Sequence, residues 1–312
     1  ANIFYNLFSS YLRAVGNSQI PLFFLIFSAC LNVGLDLLFI IRGGMGVAGA
    51  AWATNLSQAI SAVLCAGYIW VKVPSLKPER EHWKIHGSDT RNQLAAGIPM
   101  AFQFAITASG TMIMQSAINL FGSEAVAAYT AACKVHSLLT QGMVAMGQTM
   151  AVYSGQNYGK GDAKRIRDGV KAALLIDVIY SVVSAVLVSL LLGVTLGLFF
   201  SGDVDLTVMM PWARTYITIC TLFYIPLSTI FIFRNTMQGC GYGFLPMMGG
   251  VVELVARLSV AMIAMRVHSY ALSCFCDPAA WLSAGLFTGV SYLFVMKKIR
   301  ASLEPKSVTV QP

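Results

Sequence analysis

Charge is what this chain has least of. Of its 312 residues only 11% are Asp, Glu, Lys or Arg, while 57% are hydrophobic and the mean hydropathy is +0.69. Soluble domains carry roughly a quarter charged residues, so the scarcity excludes an ordinary soluble fold. Long polar runs are equally rare: the longest is KVPSLKPEREHWKIHGSDTRNQ at 72–93. Histidine occurs four times and the seven Cys fall at no metal-ligand spacing, which argues against a metal centre. Cys30, Cys65, Cys133 and Cys220 are expected as small core fillers, and Cys274 with Cys276 forms a lone C-x-C. His82 and His86 are four apart in the polar run, but no carboxylate or Cys completes a site, so both are expected to be solvated. GQNYGKGDAKR (155–165) is expected as a cytoplasmic loop joining two spans, and its glycines lack the strand-loop-helix context and GK[ST] ending of a phosphate cradle, which argues against nucleotide binding.

What the chain does have is long apolar windows. About 20 apolar helical residues cross a bilayer core, and such windows fall at 21–41, 47–71, 97–121, 124–150, 169–200, 213–237, 246–266 and 274–296. The expectation is an all-α membrane protein, a polytopic helix bundle with eight complete spans. Residues 3–13 add a short apolar piece with no basic leader or cleavage motif, so it reads as the tail of a helix rather than a signal peptide. The net charge of +8 reports topology. With a cytoplasmic C-terminus, alternating spans place 16 of the 21 Lys and Arg on that side, the positive-inside pattern. The partners implied are membrane lipids with anionic heads, not nucleic acid.

A repeat is visible too. GNSQIP (16–21) and GYGFLP (241–246) are both G-x4-P, a helix-ending Gly and a helix-opening Pro, displaced by 225 residues. The following pair of spans shifts identically, from Lys72 to Lys297. A duplication of this period predicts two pseudo-symmetric six-helix lobes with the first incomplete. Residues 1–72 are then the last third of the N-lobe, 73–92 a cytoplasmic linker, 93–300 a complete C-lobe and 301–312 a cytoplasmic tail.

Polar residues inside the windows are the candidates for function. CLNVGLDLLFI (30–40) sets Asn32 and Asp36 four apart, on one helix face. A carboxylate inside a span costs at least about 2.5–3.5 kcal/mol, so an unpaired one marks a functional site by default. An amide and a carboxylate on one face form a partial shell for a hard cation or a store for a proton. Thr54, on a neighbouring helix rich in Gly and Ala, is a third candidate. The competing reading is that Asp36 merely reaches water or Arg42, with Asn32 as interhelical glue.

YLRAVGNSQIPLFFLIFSACLNVGLDLLFIIRGGMGVAGAAWATNLSQ (11–58), GQNYGKGDAKRIRDG (155–169) and CFCDPAAWLSAG (274–285) resemble the multidrug and toxic compound extrusion (MATE) family, more narrowly its DinF-like bacterial branch. The resemblance implies twelve helices in two lobes, with residue 1 in the fourth. It further implies a cation-coupled antiporter of the bacterial inner membrane, a monomer without cofactor, exporting cationic or amphipathic compounds against H+ or Na+. DinF-like members hold the coupling cation with an Asn and an Asp four apart on the fifth helix and a Thr on the sixth, a pattern that Asn32, Asp36 and Thr54 match. An Asp of the first helix also belongs to that site and has no counterpart here. Another branch carries a Glu early in the seventh helix. Here GIPMAFQFAITASG (97–110) puts Thr107 or a neighbour in its place, and no acid occurs from 93 to 123.

The remaining polar groups are read as structural or cavity-lining. Glu253 and Arg257 have the acid-first i, i+4 spacing of an ion pair. Gln103, Thr107, Gln115 and Gln141 are candidates for lining a substrate path. Asp177 is expected to snorkel or to pair with Lys171, and Lys134 and His136 to lie in core or interface. Alternatives to an exporter are a lipid-linked oligosaccharide flippase of the same superfamily, for which only Lys134 and Arg257 offer interior cations, and a membrane-embedded enzyme, for which no nucleophile and base converge.

Overall fold

The computed structural model describes residues 1–79, 84, 86–197 and 206–303. Among them there is no strand, and the helices group into two compact units, Ala1–Gly87 and Ser88–Pro312.

The first unit holds α1 (Asn2–Ala14), α2 (Gln19–Asp36), a wide π-type turn at Leu37–Arg42 and α3 (Gly46–Lys72). Tyr5 of α1 donates to the carbonyl of Pro21 (2.9 Å), and Ser61 of α3 to that of Phe24 (3.3 Å), pinning the three helices together. α3 is 27 residues long, enough to span a bilayer. Thr54, Asn55, Ser57 and Gln58 make it less apolar than α2.

The second unit holds α4 (Gly87–Ile118), α5 (Gly122–Lys160), α6 (Ala163–Gly197), α7 (Leu206–Thr221), α8 (Tyr224–Gly239), α9 (Phe244–Val267), the short α10 (Tyr270–Cys274) and α11 (Cys276–Leu303). α5 and α8 form its spine, with α6 and α11 against α8, and α9 against α11. Its main core joins Tyr216, Tyr224, Met143, Leu196 and Trp281.

Stretches long and apolar enough to cross a membrane are Gln19–Arg42, Gly87–Lys160 (α4 and α5 together), Ala163–Gly197, Phe244–Val267 and Tyr270–Leu303. Three boundaries differ from the sequence reading. The window 213–237 is two helices, bent by 50° between Thr221 and Tyr224. Pro226 supplies no N–H to the carbonyl of Leu222, and the chain breaks one turn before it. Most of the expected loop at 155–165 is helical: α5 runs to Lys160 and ends on Gly161 at φ +81°. α6 then starts at once, capped by Asp162 Oδ1, which accepts from the amide of Arg165 (2.8 Å). Finally α4 begins at Gly87, with Asp89 in its first turn, so residues 87–92 belong to a helix rather than a linker. His82 lies outside the described residues.

The two G-x4-P segments share one cap geometry. Gly16 and Gly241 both have φ +86°. Gly16 N–H donates to Arg13 O (3.0 Å) and Asn17 N–H to Leu12 O (2.9 Å); Gly241 N–H donates to Gln238 O (3.0 Å) and Tyr242 N–H to Met237 O (2.9 Å). The same left-handed cap thus closes α1 and α8.

Candidate functional site

In the first unit, the antiparallel register of α2 and α3 brings Asn32 to Thr54. Asn32 Nδ2 donates to Thr54 Oγ1 at 3.4 Å, and that hydroxyl donates to the carbonyl of Ala50 at 2.9 Å. Asp36 lies one turn along the same face of α2, half-buried, and its Oδ1 is enclosed without a hydrogen-bond partner. No ion pair links it to Arg42 among the described residues. Immediately after it the helix widens: Gly43 N–H reaches back five residues to Leu38 O (2.9 Å). Such π turns concentrate at functional sites because they free backbone groups and re-aim side chains. A Cβ on Gly43 would sit 2.8 Å from Phe39 O within the turn itself, and one on Gly49 of α3 3.1 Å from Phe39 Cβ, so the first glycine permits the wide turn and the second its close passage against α3.

One turn beyond Thr54, on the side away from Asp36, Gln58 Oε1 is also enclosed without a partner. It escaped the sequence reading, although its i+4 spacing from Thr54 was a usable signal. The α2–α3 face therefore carries amide, hydroxyl and carboxylate oxygens, with the carboxylate uncompensated. That chemistry suits a small cation.

In the second unit, the positions 225 residues further along the chain lead to an ion cluster. Asn32 shifted by the repeat is Arg257, and Asp36 becomes Ala261. Arg257 Nη2 lies 3.0 Å from Glu253 Oε1 and 2.9 Å from Asp277 Oδ1, and its Nε donates to the same Asp277 oxygen at 2.9 Å. Arg257 is 3% and Glu253 6% exposed. The expected pair is present, and Asp277, the acid of CFCDP, makes it a triad tying α9 to α11. Gly110 makes room for it, since a Cβ there would collide with Arg257 Nη1. Arg234 sits inside α8, over the Phe231 ring (5.4 Å) and within electrostatic reach of Glu253.

The candidate path residues do not share one environment. Gln103 is buried and its Oε1 accepts from Gln238 Nε2 (2.8 Å), an interhelical tie. Thr107 donates to Gln103 O (3.0 Å) and Gln115 to Asn119 Oδ1 (3.0 Å), both within their own stretch of chain, and Gln141 is exposed. His136 is enclosed, bonded to Tyr224 Oη (3.0 Å) and stacked on Trp281 with rings 5.6 Å apart. Lys134 faces outward. Asp177 neither snorkels nor meets Lys171: it is 2% exposed, whereas Lys171, six residues earlier, is exposed on another face of α6. All seven cysteines are free, and among the described residues no cluster of three or more His, Cys, Asp or Glu could hold a metal. A cavity of about 750 Å³ lies away from all these groups, among Lys160, Lys164, Arg167, Lys297 and Arg300.

Comparison with known proteins decides the family. The MatE family profile matches residues 99–263, more than half of the chain. The chain belongs to the MatE family. Its MatE relatives include the probable multidrug resistance protein YpnP of Bacillus subtilis, 35% identical over 165 residues, covering 52% of this chain and 36% of the relative. The FAD transporter of Shewanella oneidensis is 26% identical over 236 residues, covering 73% of this chain and 50% of the relative. A crystal structure of MATE in complex with MaL6 superposes with a TM-score of 0.89 at 18% identity, covering 96% of this chain and 67% of that one. The last match shows the MATE fold. The chain spans about a third to a half of these two curated relatives' length, and the bacterial relatives agree broadly with the DinF-like branch.

Proposed function

We propose that this MatE chain works in a cation-coupled exporter of cationic or amphipathic compounds in a bacterial inner membrane, with its C-terminus cytoplasmic and Asn32, Asp36 and Thr54 contributing the coupling site. One observation carries the reading: Asp36 holds an enclosed carboxylate oxygen with no protein partner, one turn from the Asn32–Thr54 contact. An H+ or Na+ arriving there neutralises the carboxylate and draws the amide and hydroxyl oxygens toward it. Its departure restores a charge in hydrocarbon at a cost of at least about 2.5–3.5 kcal/mol. That is enough to shift a two-state equilibrium by roughly two orders of magnitude, and so to bias inward-facing against outward-facing forms.

Among substrates, the locked state of Arg257 favours cations over the anionic lipid-linked sugars of a flippase, because both of its neighbouring carboxylates already claim it. The test is export from proteoliposomes by the full-length transporter under imposed pH and sodium gradients. Asp36→Asn is expected to abolish gradient-driven export while leaving folding intact. Export by that variant at the wild-type rate would overturn the assignment.

A further inference from the structure

α6 turns one stripe of side chains inward from Ile166 to Leu196. The stripe is aliphatic at both ends and polar only at its centre, where Asp177, Ser181 and Ser184 follow one another. Asp177 is 2% and Ser181 1% exposed, and Asp177 Oδ2 and Ser181 Oγ are both enclosed without a hydrogen-bond partner. At i and i+4 their Cβ atoms are about 5–6 Å apart on one face. A serine hydroxyl in a helix commonly turns back to the carbonyl four residues earlier, as Ser189 does to Ala185 (2.7 Å). Ser181 does not, so its hydroxyl is left for the carboxyl group beside it.

Interhelical glue does not account for this pair, because glue requires partners. Asp177 makes no hydrogen bond or ion pair with any described side chain. Several charged and titratable groups on the four helices packed against α6 have partners elsewhere. On α5, His136 is bonded to Tyr224 of α8, and Tyr153 donates to Arg165 O. On α8, Arg234 lies over Phe231 toward Glu253. On α7, Tyr216 accepts from Cys133 (3.2 Å). On α11, Asp277 holds Arg257 and Tyr292 stacks on Phe233. The interior charges of Glu253 and Asp277 are matched by Arg257 and Arg234. Among the described residues of the second unit, Asp177 is the buried acid left over.

We propose that Asp177 and Ser181 form a proton-binding site of the second unit, in which the carboxyl group carries a proton and Ser181 Oγ accepts its hydrogen bond. Hard metal cations gather about six oxygens or more, and two neighbouring side-chain oxygens are too few, whereas a proton needs one acceptor. The site is separate from Asp36 and does not rest on the export reading.

The test is infrared difference spectroscopy on the purified full-length transporter as pH is stepped upward from neutral, with sodium absent or in excess. The wild type is expected to show a protonated-carboxyl C=O band that is lost in Asp177→Asn and shifted, not lost, in Ser181→Ala, while Asp36→Asn retains it. Proton uptake on return from alkaline pH should fall by one per chain in Asp177→Asn. If Asp177→Asn does not fold, the Ser181→Ala shift alone decides. An unchanged spectrum in both variants, or in Ser181→Ala when it is the one measurable, would show Asp177 ionised. Loss of the wild-type band on adding sodium at constant pH would make this a metal-cation site. Either result overturns the proposal.

Discussion

Arg257→Met strips the cation from the α9–α11 cluster while keeping an unbranched stem of similar reach. Arg257 is 3% exposed, Glu253 6%, and the Asp277 side chain 14%, so the two carboxylates cannot turn to water when the guanidinium is gone. Removing one partner from a buried ion pair costs about 3–5 kcal/mol, because it leaves an uncompensated charge. For a unit of this size each kcal/mol lowers Tm by about 2–4 °C, so the variant should melt about 6–20 °C below wild type. Thermal unfolding of the purified transporter in detergent, followed by loss of the monodisperse peak, reads this directly. The same physics predicts rescue: combining Arg257→Met with Glu253→Gln and Asp277→Asn removes every charge, and wholesale neutral replacement of a buried ion cluster is often harmless. The triple variant should therefore melt above the single one. A single variant within about 2 °C of wild type, or a triple variant less stable than the single, would refute the claim that charge compensation holds α9 to α11.

Other expectations follow from the caps. Gly16→Ala and Gly241→Ala force a side chain into the same φ of +86°, and each should cost about 1–2 kcal/mol; clearly unequal losses of thermal stability would contradict the equivalence of the two caps. Asp162→Ala removes the oxygen that accepts from Arg165 N–H and should cost about 1 kcal/mol, read in the same melting assay, with Asp162→Asn close to wild type.

Much of the architecture was legible along the chain because bilayer crossing is a local property: some 20 apolar residues in a row satisfy it whatever they touch. The G-x4-P pair was legible for a related reason, since helix caps are built from residues adjacent in sequence. Asn32 and Asp36 stood out because an acid in an apolar run is expensive wherever it lies. The bend before Pro226 and the helical end of α5 were missed, although both are local, because hydropathy windows record apolarity and not the backbone hydrogen bonds that a proline removes or that polar residues can still make.

Partnership was beyond sequence. Spacing paired Glu253 with Arg257, and Asp177 was expected to snorkel or to pair with Lys171. Only the packing of α9 on α11 revealed Asp277 as the second carboxylate on Arg257, and only the facing of α6 showed Asp177 turned away from Lys171 into a core that offers it nothing. By itself, then, the order of residues determined that this is a helical membrane protein with acids where acids are costly. Which of those acids is compensated was decided by the tertiary structure, because compensation requires a donor within about 3 Å, and that distance is set by how separate helices cross, not by how far apart their residues lie in the chain.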